Sequence, residues 1–235
     1  MDKAEQGLLA LSPPPRATFE NFVSGGNRRL VAALRSLAAS AEGWLYLSGP
    51  AGSGRTHLLW ACAREAQDAG TVAQYLPLAD ASITPAAALS AVPAVDLLLL
   101  DDIDAIAGER EREEAVFHLL NRMRTGQGGL VVSSAQPLTS LPLVLPDLRS
   151  RLAWGVQYQL QPPDDAALME ILRLRLQSRE LPDNEPLRQY LLRYAPRRAG
   201  LLLELLTAIE RRAAARKRRM STRLAGEVLA EYGLR

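Results

Sequence analysis

The feature that most constrains this chain is a glycine-rich octapeptide at residues 49–56, with the sequence GPAGSGRT. It follows an apolar run at 44–48 that predicts a buried strand, and it opens a segment at 55–69 whose apolar spacing predicts a helix. Glycines between a strand and a helix let backbone N–H groups point inward around a polyphosphate, and the helix N-terminus adds positive potential. The octapeptide fits the pattern G-x-x-x-x-G-K-[ST] except at Arg55, so it predicts a phosphate loop. A glycine-rich turn without a ligand is the alternative.

The loop predicts a site for ADP or ATP with Mg²⁺. The Thr56 hydroxyl is expected to reach the metal ion. Arg55 stands where lysine is usual, and a guanidinium is planar and bulkier than an ammonium. We therefore expect nucleotide binding to survive and hydrolysis by the chain itself to be weak. The residues expected to hold phosphates are Gly49, Gly52, Ser53, Gly54, Arg55 and Thr56.

Two carboxylates end a second apolar run about 45 residues after the loop. Leu97–Leu100 predicts a strand that is buried on both faces, and Asp101 and Asp102 follow it. At this distance from a phosphate loop, Asp101 is expected to hold Mg²⁺ directly or through water, and Asp102 to polarise an attacking water. A solvated strand end is the simpler alternative.

The order of the predicted elements indicates an α/β fold. Strands alternate with helices up to about residue 162, which predicts a parallel five-stranded sheet with covered faces. Beyond that point only helices are predicted. We therefore expect a flexible arm at 1–17, where Pro13–Pro15 favours an extended chain, a nucleotide-binding core at 18–162 and an all-helical lid at 163–235. The predicted strands are 44–48, 72–76, 95–101, 130–134 and 157–160, and the predicted helices are 27–41, 55–69, 109–125, 164–180, 185–195, 199–218 and 221–232.

Composition excludes several classes of protein. The single cysteine, Cys62, leaves no internal disulfide, and with two histidines it does not make an ordinary zinc site. No apolar run reaches the roughly 20 residues of a membrane span, and no secretory signal is recognised, so a cytoplasmic setting is expected. The net charge is only +2, so the basic run at 211–219 is interpreted as a solvated helix face rather than a DNA contact. Residues 110–114 are likewise interpreted as solvated, and His118 as packed in an apolar helix face.

Three segments resemble the DnaA-related AAA+ family. They are TFENFV at 18–23, GRTHLL at 54–59 and LRSRLAWG at 148–155, and the resemblance extends over residues 6–235. It implies an AAA+ P-loop core with a helical lid. Arginine in the phosphate loop and the absence of room for a DNA-binding domain make the chain more similar to the short Hda branch, which inactivates the initiator. With the DNA-loaded sliding clamp, that branch stimulates hydrolysis of initiator-bound ATP and so prevents re-initiation.

The resemblance assigns further roles. Arg151 is implied to be an arginine finger that is supplied in trans, and Arg149 is a second candidate. A surface salt bridge or a phosphate contact in cis is the alternative for Arg151. The family's two sensor positions correspond to Ala135 and Gly200, which again indicates weak intrinsic hydrolysis.

The N-terminal arm carries a candidate clamp-binding peptide. Gln6, Leu9 and Leu11 match the branch's clamp motif, whereas Gly7 and Ala10 do not. An extended peptide of this kind docks by glutamine hydrogen bonds and leucine side chains in an apolar groove. A tail with no such role is the alternative. Two other functions stay open: an autonomous DNA-stimulated ATPase such as a helicase loader, and a clamp adaptor that needs no nucleotide. A homo-oligomer and a weak or indirect DNA contact stay open as well.

Overall fold

The structure is a computed structural model that describes residues 17–93 and 95–234. The strands in these ranges are β1 (Trp44–Ser48), β2 (Ala73–Pro77), β3 (Leu97–Asp101), β4 (Gly129–Ser134) and β5 (Val156–Gln159). The α-helices are α1 (Arg28–Ser40), α2 (Arg55–Asp68), α3 (Ala86–Ala91), α4 (Arg110–Thr125), α5 (Pro146–Leu152), α6 (Asp165–Gln177), α7 (Glu185–Tyr194), α8 (Ala199–Ala215) and α9 (Thr222–Glu231). Short 3-10 turns lie at Gly25–Asn27, Ile103–Ile106 and Leu138–Ser140.

The strands form one parallel sheet in the order β2-β3-β4-β1-β5. The predicted fold class, a five-stranded parallel α/β core followed by an all-helical segment, is confirmed. Because β4 lies between β3 and β1, the loops that follow these three strands meet at one edge of the sheet. This is the switch point at which open α/β sheets bind ligands.

The sheet is covered on both faces, as the unbroken apolar run of β3 predicts. Leu97 and Leu99 belong to one buried cluster with residues of α1 and α2. Leu98 and Leu100 point to the other face and belong to a cluster with residues of α3, α4 and α5. β5 is an edge strand, and its Val156 is 60% exposed.

Two short helices were not predicted. α3 lies in an alanine-rich stretch after Pro85, and α5 begins with a proline in its first turn. Proline fits the first turn because its missing N–H would find no partner there. Both segments are too short to show a helical repeat of apolar residues, and both contain or follow a proline. For these two reasons the sequence did not predict a helix in either place.

Helix α4 was predicted correctly, but the environment of its charged residues was not. Arg112 and Glu113 are buried rather than solvated. The Arg112 guanidinium donates to the Leu78 carbonyl and to the Thr84 hydroxyl. His118, predicted to be packed in an apolar face, is exposed. The buried groups are held by partners outside the helix, which the helix's own sequence does not reveal.

Glu113 connects two loops through its carboxylate. It is fully buried and accepts hydrogen bonds from the backbone N–H groups of Gly108 at 2.8 Å, Val144 at 3.1 Å and Leu145 at 2.8 Å. Charge-assisted bonds from several N–H groups satisfy a buried carboxylate. Glu113 thereby ties the segment after β3 to the residues that lead into α5.

The described residues divide into two compact units. The first contains the sheet, its flanking helices and residues up to Gln161, and Ala17 is buried in it. The second runs from Pro162 onward, includes Ala51–Gly54, and has its own leucine-rich core among α6 to α9. Across the described ranges, no helix has the length and apolar character required to cross a bilayer.

The basic run at the end of α8 makes ion pairs within the second unit. Arg212 pairs with Glu231 at 2.5 Å, and Arg216 pairs with Glu227 at 2.5 Å. Both acidic partners lie on or at the end of α9. These pairs agree with the interpretation of the run as a solvated helix face.

Candidate functional site

The phosphate loop has the backbone that its glycines predicted. Gly52 and Gly54 adopt φ values of +80° and +103°, which side chains other than glycine rarely adopt. The N–H of Gly49 donates to the Ser134 carbonyl at 3.1 Å, so the start of the loop is fixed to the end of β4. Helix α2 follows directly and is 14 residues long, so its dipole adds positive potential at the loop.

The loop presents polar groups that have no partner in the described part of the chain. None of the N–H groups of residues 51–54 donates to a described residue. The Ser53 hydroxyl is buried and also makes no hydrogen bond with a described residue. Buried polar groups are ordinarily satisfied, so the unpartnered Ser53 hydroxyl at this tight turn fits contact with an anionic ligand. Thr56, the predicted Mg²⁺ ligand, is exposed in the first turn of α2.

Arg55 makes two internal contacts. Its guanidinium donates to the Asp102 carboxylate at 2.7 Å and to the Gly49 carbonyl. The side chain is only 11% exposed, and its Nε makes no hydrogen bond with a described residue. The residue predicted to contact phosphate therefore links the first residue of its own loop to the end of β3.

Asp101 is part of a buried hydrogen-bond network. It is 3% exposed, and its carboxylate accepts from the Tyr75 hydroxyl at 2.7 Å and from the Ser133 hydroxyl. Burial and the Asp101 charge raise the pKa of Tyr75, so Tyr75 remains a donor. Each of the two carboxylate oxygens of Asp101 therefore has a hydrogen-bond donor from a neighbouring strand.

Asp102 lies at a strained turn next to this network. Its φ and ψ are both 57°, in the left-handed region, and its N–H donates to the Ser133 hydroxyl at 2.9 Å. Burial and the neighbouring Asp101 charge raise its pKa, while the Arg55 contact opposes that rise. The carboxylate proposed to polarise water is thus paired with a cation from the phosphate loop.

Ala135 and Gly200, the positions at which the resemblance implies sensors, differ in their surroundings. The N–H of Ala135 donates to the Asp104 carboxylate at 2.9 Å, so its backbone fixes the turn after β3. A side chain added at Gly200 would meet no atom within 4 Å. In the same unit as Gly200, Arg198 packs against Gly52, and a Cβ added at Gly52 would lie 3.4 Å from the Arg198 Cβ.

The two arginines of α5 have different environments. Arg149 donates to the carbonyl groups of Leu138, at 2.6 Å, and Leu141. This second candidate for the finger therefore holds its own loop. The Arg151 guanidinium lies 4.2 Å from the ring centre of Trp154 and makes no hydrogen bond or ion pair with any residue in the described ranges.

Several functional-site features were not predicted from the sequence. The Tyr75 and Ser133 contacts to Asp101 join three different strands, and the Trp154 ring contact with Arg151 depends on the turn after α5. The spacing of three residues between Arg151 and Trp154 was the available signal, since it favours contact at the end of a helix. The predicted clamp-binding residues Gln6, Leu9 and Leu11 lie outside the described residues.

Comparisons with known proteins agree with this architecture. The family described as the bacterial DnaA ATPase domain matches residues 86–159. Domain III of the replication initiation protein DnaA from Thermotoga maritima is similar in structure, with a TM-score of 0.81 and 21% identity, over 93% of this chain and 97% of that chain. AMPPCP-bound DnaA from Aquifex aeolicus gives a TM-score of 0.69 and 24% identity, over 84% of this chain and 66% of that chain.

A likeness to a second kind of protein accompanies these matches. The RuvB Holliday junction branch migration motor of Thermotoga maritima gives a TM-score of 0.67 and 18% identity, over 93% of this chain and 72% of that chain. At these identities the structural likenesses establish the fold alone. The family match over residues 86–159 agrees with that fold and adds a sequence likeness to the bacterial DnaA ATPase domain.

Proposed function

We propose that this chain is a nucleotide-bound regulator of a DnaA-type replication initiator. With the DNA-loaded sliding clamp, it presents Arg151 to ATP on the initiator and stimulates hydrolysis of that ATP, which prevents re-initiation. An arginine supplied in trans stabilises the charge that develops on the transferred phosphoryl group, an effect of about 10³- to 10⁵-fold in other phosphoryl-transfer systems. The observation that carries the proposal is that Arg151 has no acidic partner among the described residues and lies beside a half-exposed indole.

The chain's own nucleotide has a structural role in this proposal. The loop N–H groups and Ser53 would hold ADP or ATP, and Thr56 and Asp101 would hold Mg²⁺. Bound Mg²⁺ would neutralise phosphate charge. Arg55 donates to one oxygen of Asp102 at 2.7 Å, so that oxygen is occupied and Asp102 is poorly placed to polarise a water. Weak intrinsic hydrolysis follows from this pair, and so does a stable nucleotide-bound form.

The clamp partner is proposed from the N-terminal peptide. Gln6, Leu9 and Leu11 supply the hydrogen-bonding and apolar groups that an extended docking peptide needs. Two departures from the motif, Gly7 and Ala10, lead us to expect weaker clamp binding than a full match would give. The combined substitution of Leu9 and Leu11 by alanine is expected to abolish clamp capture of the full chain on immobilised clamp.

The proposal is tested by hydrolysis of initiator-bound ATP. Initiator loaded with radiolabelled ATP is mixed with DNA-bound clamp and the full chain, and ADP formation is followed. We expect stimulation by the wild-type chain, a loss of at least about a hundredfold with Arg151→Ala, and full activity with Arg29→Ala, which removes an exposed arginine of the same unit. No stimulation by the wild-type chain would refute the proposed function.

The same assay separates the alternatives. The structural likeness to RuvB is the reason to consider a DNA-stimulated ATPase as an alternative. Such an enzyme would hydrolyse ATP without the initiator, and Arg151→Ala would not change its rate. A nucleotide-independent adaptor would stimulate hydrolysis equally well with Arg55→Ala and after removal of bound nucleotide. Both results differ from the one expected for a finger supplied in trans.

A further inference from the structure

Two arginines approach one exposed indole at the end of α5. The guanidinium carbon of Arg124 lies 4.0 Å from the ring centre of Trp154, and that of Arg151 lies 4.2 Å from the same centre. Phe117 contributes a more distant ring, 5.8 Å from Arg151. Trp154 is 48% exposed, so this cluster of Arg124, Arg151, Phe117 and Trp154 lies at the surface of the first unit.

The two arginines of this cluster differ in their contacts from Arg122 and Arg149, which lie on the same two helices. Arg122 donates to the carbonyl groups of Leu89 and Ser90, and Arg149 donates to those of the 138–141 loop. The guanidinium groups of Arg124 and Arg151 make no hydrogen bond or ion pair with any residue the structure describes, and both lie close to the indole ring. A cation over an indole face is attracted by the ring's quadrupole, yet it keeps its N–H donors available.

The indole is fixed by its neighbours. The Trp44 ring lies 5.8 Å from the Trp154 ring, and its own N–H donates to the Gly128 carbonyl at 3.2 Å. A Cβ added at Gly155 would lie 3.3 Å from the backbone of Trp44 and Leu45, so the turn after Trp154 is pressed against β1. The Trp154 side chain is thus a fixed platform rather than a freely rotating surface group.

We propose that Trp154 is a positioning residue for Arg151. The indole holds the Arg151 guanidinium in one region of the surface and leaves its N–H donors available. Arg124 is a second cation that contacts the same ring. Because the ring has already ordered the guanidinium, little further conformational entropy is lost when Arg151 contacts a partner's phosphoryl group. The hydrolysis step that Arg151 assists is therefore faster. This inference rests on the proposed function for its consequence in hydrolysis, but the placement of Arg151 by Trp154 is tested without any partner.

The first experiment measures order at Arg151 in the full chain alone. ¹⁵N relaxation of the arginine Nε–H groups is compared for the wild type, Trp154→Phe and Trp154→Ala. We expect an ordered Arg151 in the wild type, partial order with phenylalanine, whose ring is a weaker cation acceptor, and a mobile side chain with alanine. Arg149 is the internal control and stays ordered throughout. Equal order of Arg151 in all three proteins would overturn the inference, whatever the function proves to be.

The second experiment uses the initiator assay at increasing concentrations of the chain. Trp154→Ala is expected to lower the maximal stimulated rate about two- to fivefold, the range that a cation–π contact of about 0.5–1 kcal/mol gives, with phenylalanine intermediate. The half-saturating concentration is expected to remain unchanged. A shift in that concentration with an unchanged maximal rate would instead make Trp154 a docking residue.

The double variant distinguishes this inference from the proposed function. If Trp154 acts through Arg151, then Trp154→Ala adds nothing to Arg151→Ala. Additive effects would contradict the positioning role even where Arg151 itself proves essential. If Arg151→Ala has no effect on stimulation, the proposed function fails, and the relaxation experiment still decides whether Trp154 orders Arg151.

Discussion

The phosphate loop and the end of α5 both carry an arginine that was predicted to meet a phosphate, but the two side chains are used differently. Arg55 is nearly buried and donates to Asp102 and to the Gly49 carbonyl. Arg151 lies against a half-exposed indole and makes no ion pair within the described ranges. The difference indicates that the Arg55 guanidinium is restrained by internal contacts, while the Arg151 guanidinium keeps its N–H donors available.

The largest expected effect is on the free energy of unfolding, where Arg149 serves as the internally paired counterpart of Arg151. Arg149→Ala removes charge-assisted donors from two loop carbonyls and should lower the free energy of unfolding by about 1.5–3 kcal/mol. Arg151→Ala, two residues away, removes only ring contacts and should lower it by no more than about 1 kcal/mol. Urea denaturation of both variants measures the contrast. Equal destabilisation by the two substitutions would mean that Arg151 also stabilises the folded state.

A smaller effect is expected at the phosphate loop. Gly54 has a φ of +103°, so Gly54→Ala strains the backbone by about 1–3 kcal/mol and should weaken ADP binding by about tenfold or more. Titration calorimetry with ADP tests this. The matched control is Gly25→Ala, which also has a positive φ but lies outside the loop and should leave affinity unchanged. Unchanged affinity in the Gly54 variant would argue against phosphate binding there.

A few-fold effect is expected when the Arg55–Asp102 pair is broken. Lysine at position 55 has a single ammonium group and does not span the Gly49 carbonyl and Asp102 as the planar guanidinium does. Arg55→Lys is therefore expected to release Asp102 and raise the chain's slow intrinsic ATP hydrolysis a few-fold. The control adds Asp102→Asn, which should return the rate to its starting value. A rate unchanged by Arg55→Lys would show that the pair does not limit hydrolysis.

The smallest expected effect is on the pH dependence of stability. The folded-state pKa of Asp102 is raised, chiefly by burial, so the folded protein binds more protons than the unfolded chain between the two pKa values. The free energy of unfolding therefore falls as pH rises through that window, which begins at the ordinary aspartate pKa. Asp102→Asn should remove this contribution. Urea denaturation from pH 4 to 7 measures it, and an identical pH profile in both proteins would contradict the assignment.

The sequence predicted the scaffold better than the contacts made on it. The leucine run of β3 is uniformly apolar, and the loop glycines permit few other conformations, so both were predictable from local chemistry. Arg112 and Glu113 were misjudged because their partners, such as Leu78 and Val144, are about 30 residues away in the chain. The high density of charged residues around Arg112 and Glu113 indicated a solvent-exposed segment, whereas both side chains are buried and hydrogen-bonded.

The candidate site shows the same division. Arg55 and Arg151 were both identified as arginines of interest, but their sequence context did not indicate which of them is internally paired. That depends on Asp102, 47 residues from Arg55, and on the turn that brings Trp154 to Arg151. Arg149 and Arg151 were likewise indistinguishable, because the carbonyl groups that engage Arg149 belong to a loop without a sequence signature.

The most direct test of a finger supplied in trans is binding to the initiator trapped in a transition-state-like form. The affinity of the nucleotide-bound chain, with DNA-bound clamp present, is measured for initiator carrying ADP and for initiator carrying ADP with aluminium fluoride. The proposed function predicts at least about tenfold tighter binding to the aluminium fluoride form, and loss of that preference in Arg151→Ala. Equal affinity of the wild-type chain for both forms would contradict it.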